Sequence, residues 1–70
     1  MNSKPISSKL GNNLKKIRTQ KGIAQGDISR KLKMDRAYIS GIENGKRNPT
    51  ISSIEKIAQA LGVSVDELLK

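Results

Sequence analysis

Three glycines cut this 70-residue chain into short pieces, and that division limits what it can become. Gly22, Gly45 and Gly62 each follow a stretch in which apolar residues recur every three or four positions. A glycine just past such a stretch is a helix stop. The pieces are too short to be stable alone, so they must pack on one another. One long amphipathic helix, the form a membrane-active basic peptide needs, is excluded.

The pattern predicts an all-α domain of five helices over residues 7–70, behind a mobile arm at Met1–Ile6. Pro5 discourages helix through the residue before it. The first helix is expected from about Ser8 to Lys21, with Leu10, Leu14 and Ile17 inward. The second runs from about Gln25 to Leu32, with Ile28 and Leu32 inward. Its start is weak, because Ala24 stands where a capping hydroxyl is usual and Gly26 lies in the first turn. Lys33-Met34 is the turn. Asp35 caps a third helix that reaches about Asn44, with Ile39 and Ile42 inward. Thr50 caps a fourth, whose stripe is Ile51, Ile54, Ile57, Ala58 and Leu61. Ser64 and Glu67 form a capping box for a short fifth helix from Val65, with Val63 stapled onto Leu68.

Composition removes several classes of function. The chain has no Cys and no His. Disulfides, thiolate sites, the commonest general base and the commonest metal ligand are therefore missing. The acidic residues are spread over helix caps, so no acid–base or nucleophilic site is expected, and no cofactor or metal. No apolar run approaches the ~20 residues of a membrane span, and the N-terminus lacks a secretory pattern. A cytoplasmic location is the default expectation, with no separate domain for a small-molecule effector.

Charge is unevenly placed. Residues 1–47 hold twelve basic and three acidic residues, net +9, while residues 48–70 hold two and three, net −1. Such asymmetry suits a polyanion on one side, though a merely solvated basic surface fits equally well.

The basic half contains QGDISRKLKMDRAYISGIENG, Gln25–Gly45: two short helices around a tight turn. With Ile39 and Ile42 inward, Arg36, Ala37, Ser40 and Gly41 point outward near the start of the third helix. That is where a recognition helix meets base edges in the DNA major groove. Arg36 can bond guanine O6 and N7 or simply neutralise a phosphate, Ala37 can pack on a thymine methyl, and Ser40 can bond a base or a phosphate. Tyr38 sits beside this set, either bonding a phosphate or lying half-buried on the second helix. Gln25 opens the second helix, whose free N–H groups favour an anion.

Gln25 through Ile42 resembles the helix-turn-helix of the phage repressor/Cro-type transcription regulators. Arg18, the string IENGKRNPT and the closing IAQALGVSVDELL extend the resemblance over about Leu10–Leu69. The run DRAYISGIENGKRNPT is similar to the controller proteins of restriction–modification systems. The resemblance implies a double-stranded-DNA-binding regulator that controls its own promoter. It implies phosphate contacts by Gln25, Asn44, Lys46 and Arg47, with Arg47 alternatively reaching into a minor groove. It also implies a partly buried ion pair between Arg18 and Glu43. Two positions depart from the family: Ser29 stands where Ala is usual, and Lys33 where Gly is usual. The lysine is expected to carry a cost of roughly 1 kcal/mol or to shift the turn.

One recognition helix reads too few base pairs for genomic specificity, so a homodimer on a (pseudo)palindromic site is expected. Val63, Val65, Leu68 and Leu69, in the neutral C-terminal part, are the expected interface. The rival reading is an antitoxin-type protein-interaction module of the same fold, which a surface dedicated to a toxin would favour.

Overall fold

The computed structural model describes residues 6–70, in which five helices follow in order: α1 (Ile6–Gln20), α2 (Gln25–Leu32), α3 (Arg36–Glu43), α4 (Ile51–Leu61) and α5 (Val65–Leu69). No strand occurs among the described residues. The expected arm falls outside them except for Ile6, which belongs to α1 rather than to the arm. Its side chain is exposed, so the extra half-turn is held by backbone bonds and not by burial.

Four helices end in the same way. The N–H two residues past the last turn reaches back to the carbonyl five residues earlier: Ile23 to Arg18, Met34 to Ser29, Lys46 to Gly41 and Val63 to Ala58, at 2.9–3.0 Å. The residue between must adopt positive φ. Gly22, Gly45 and Gly62 do so at 70–73°, and Lys33 takes the same place at 55°. The expectation of a strained lysine in the turn is therefore met by the strained backbone, not by a displaced turn.

The starts are also chemically determined. Asp35, Thr50 and Ser64 accept from the N–H groups of Ala37, Ser53 and Glu67 at 3.0, 3.1 and 3.3 Å. At α2 the alanine has no oxygen to offer. Asp27 compensates by accepting from the Ala24 N–H at 2.9 Å, the half of a capping box that does not need a cap side chain.

Leu10, Leu14, Ile28, Ile39, Ile42, Ile54, Ile57, Ala58, Leu61 and Leu68 form one buried core. Val63 packs against it at the start of α5, alongside Leu68. Two expectations are corrected here. Ile51 is 65% exposed and does not join the α4 stripe. It occupies the first helical position, where the side chain leans back off the end of the helix. Leu68 is fully buried in its own chain's core and cannot serve a second subunit.

Helix α1 packs on α3 and α5, while α2 packs on α3 and α4. The α1–α3 crossing depends on Gly11. A Cβ there would lie 2.3 Å from the Ile42 carbonyl oxygen and 2.6 Å from that of Glu43. On the α5 side, the Asn13 amide donates to the Leu68 carbonyl at 2.8 Å, satisfying a terminal acceptor of the shortest helix.

Two substitutions test these readings. Gly11→Ala should lower stability by more than about 2 kcal/mol in urea denaturation, despite the better helix propensity of alanine. Lys33→Gly should raise it by up to about 1 kcal/mol, because glycine adopts the left-handed turn without a Cβ clash.

Candidate nucleic-acid interface

The α2–turn–α3 unit is fixed from both ends. At the turn, the Ser29 hydroxyl donates to the Met34 carbonyl. The extra oxygen, relative to an alanine, thus has a partner inside the turn. At the far end, the Glu43 carboxylate is buried, with its side chain 2% exposed. Arg18 grips it through Nε–Oε2 at 2.6 Å and a second guanidinium nitrogen to Oε1 at 3.1 Å. The third nitrogen of Arg18 donates to the Ile23 carbonyl at 2.8 Å. Gln25 Nε2 adds a bond to Glu43 Oε1 at 3.0 Å.

The expected Arg18–Glu43 pair is thus present, as a fork that joins α1 to α3. The hydrogen bonds it donates to Glu43 hold the Arg18 guanidinium above its ordinary arginine pKa. Burial opposes that shift and the attraction of the two charges reinforces it. The Arg18 charge is therefore permanent at any working pH.

Gln25 has its side chain turned inward to brace Glu43. What it leaves for an anion is the start of α2, where the Gln25 and Gly26 N–H groups have no preceding helix carbonyl, while that of Asp27 bonds the Ala24 carbonyl. On α3, Arg36 and Ala37 are exposed and Ser40 and Gly41 half-buried, all on the side away from Ile39 and Ile42. Asn44, Lys46 and Arg47 follow, all exposed. The Gln25–Glu43 bond brings the start of α2 to the end of α3, where this exposed polar and basic strip of Asn44, Lys46 and Arg47 begins.

Tyr38 is half-buried and packs against the core. Its ring also carries the Arg47 guanidinium, whose central carbon stands 5.9 Å from the ring centroid. Gly41 makes room for this: a Cβ there would come within 2.6 Å of Arg47 Cγ. Gly41 therefore admits a side chain of this molecule across the outer face of α3.

The C-terminal side is different. Val63, Val65 and Leu69 are half-buried and Leu68 is inaccessible, so only three of the four expected interface residues present surface. Residues Gly11, Asn13 and Asp27 hold this framework and carried no assignment from sequence. The glycine within a helical run was the one readable signal, since glycine there costs about 1 kcal/mol unless packing needs it.

The helix-turn-helix family pattern matches residues 14–68. The chain belongs to the helix-turn-helix family. This helix-turn-helix protein is 42% identical over 64 residues to the control protein C.MunI of Mycoplasma sp, an alignment spanning 90% of this chain and 86% of that one. Its fold superposes with a TM-score of 0.84 on the restriction-modification controller protein C.AhdI of Aeromonas hydrophila, at 37% identity over 89% of this chain and 94% of that one. A TM-score of 0.79 relates it to the controller protein C.Esp1396I, solved as a tetramer with its natural 35 base-pair operator. That match has 42% identity and covers 97% of this chain and 100% of the other.

The buried fork gives a prediction about stability. Arg18→Met alone should cost about 3–5 kcal/mol, because it strands the Glu43 charge. Arg18→Met combined with Glu43→Leu should cost less than Arg18→Met alone. Urea denaturation of the two variants and the parent checks the sign of that coupling; additive losses would contradict it.

Proposed function

We propose that this protein is a sequence-specific double-stranded-DNA-binding transcription regulator, acting from the cytoplasm with no enzymatic step. It places α3 in the major groove as a homodimer on a (pseudo)palindromic operator that includes its own promoter. The observation that carries this reading is the exposed Arg36–Ala37 pair at the start of a recognition helix locked to α2 by Glu43. Family membership and the control proteins among its relatives support it, as does the operator complex of C.Esp1396I.

In this reading Arg36, Ala37 and Ser40 face base edges. The first turn of α2 at Gln25, with Asn44, Lys46, Arg47 and the Tyr38 hydroxyl, meets phosphates and fixes register. Val63, Val65 and Leu69 meet the second subunit. Two α3 helices related by a twofold axis then fall about 34 Å apart, one turn of the duplex. The low net charge of residues 48–70 suits an interface between two otherwise basic molecules.

Two variants separate base reading from charge. Arg36→Ala should lose the preference for a duplex selected by the parent protein over a random one, while keeping binding at low salt. Lys46→Ala should weaken both duplexes alike. Equal losses on both duplexes for Arg36→Ala would contradict its role. For assembly, sedimentation across a concentration series should show a monomer–dimer equilibrium, shifted toward monomer by Leu69→Asp without loss of helicity. A parent protein that stays monomeric at every concentration and binds DNA singly would contradict the dimer.

A further inference from the structure

A cleft adjoins the strip described above at Asn44. It opens where the first ten residues of α1 meet the C-terminal end of α3, and is lined by Ser8, Asn12, Lys15, Glu43 and Asn44. We infer that this cleft seats a backbone phosphate of the bound duplex, with the Lys15 ammonium as its cation. The inference rests on the DNA-binding reading given under Proposed function.

Helical spacing places Lys15. Ser8, Gly11, Lys15 and Arg18 succeed one another at three- and four-residue steps and so share one stripe of α1. Three of the four are seen against α3 and its exit. Gly11 touches the Ile42 and Glu43 carbonyls, Arg18 holds Glu43, and Ser8 lies against Gly45. The fourth, Lys15, is exposed on the same stripe beside Asn44. Lys16 is the next residue, about 100° further round the helix. It lies three residues from Asn13, the side chain that bonds α5, and so belongs to another side of α1.

The chemistry of the cleft fits an anion. One ammonium, two amides and one hydroxyl surround it. The single carboxylate facing it is Glu43, whose two oxygens are already taken by Arg18 and Gln25. Its position fits the same ligand. A helix whose first residues enter the groove carries its last residues toward the lip, where the sugar–phosphate strand runs. Asn44 stands at that end and joins the cleft to the Lys46–Arg47 loop.

The test compares two lysines of equal charge on one helix. Binding of the full chain to a random-sequence duplex of about 30 base pairs is followed against salt, with thermal unfolding to verify the fold of each variant. Lys15→Ala should reduce the slope of log K against log salt by about 0.9 per protomer bound, the value of one lost phosphate contact. Lys16→Ala should leave the slope at the parent value. Equal slopes for the two variants would overturn the inference, because only long-range charge would then be involved. An unchanged slope for Lys15→Ala, with a reduced one for Lys46→Ala, would overturn it while leaving the DNA-binding reading intact. Failure of the parent protein to bind any duplex would overturn both.

Discussion

The carboxylate of Glu43 is the point to which the rest of this small domain is tied. It is buried at the end of α3, and two other helices reach it, α1 through Arg18 and α2 through Gln25. An eight-residue helix is about 12 Å long and has little stability of its own. Its direction is set by what grips it. The same carboxylate that orients α3 also fixes the first residue of α2, so the exposed side chains at the start of α3 and the start of α2 are held in one geometry. Burying such a charge is costly unless it is paired and hydrogen-bonded, and here the fork and the amide supply three bonds to its two oxygens.

Around that anchor the backbone is closely fitted. Gly11 lets α1 rest on the carbonyls that end α3, bringing Arg18 within reach of Glu43. The repeated helix ending at Gly22, Lys33, Gly45 and Gly62 then turns the chain sharply four times. At three of these sites residue and conformation agree. At Lys33 they do not, and it is the turn between α2 and α3. Packing on both sides, together with the Ser29 hydroxyl on the Met34 carbonyl, holds the lysine in a conformation it would not choose alone.

Much of this was legible in the residues. Caps and stops are local chemistry, so Asp35, Thr50, Ser64 and the three glycines located the helices to within a residue or two. The inward faces followed from spacing, and the family resemblance supplied the Arg18–Glu43 pair. What escaped depends on three-dimensional neighbours. Spacing puts Ile51 on the apolar face but does not show that the helix begins there and leaves it uncovered. Leu68 was expected at the interface because spacing does not show that α1 packs on α5 and that Leu68 ends in the core. Spacing puts Gly41 on the outward face but does not show that the Arg47 side chain returns across it, because that contact crosses a loop that periodicity does not describe. The Lys15 cleft exists only once α1 and α3 have crossed.

Hydroxyl-radical footprinting of the protein on a duplex it selects from a random pool tests the central claim most directly. A twofold dimer with one α3 per half-site predicts two protected patches on one face, about one helical turn apart and symmetric about their midpoint. A single patch, or uniform protection with no symmetry, would contradict the account.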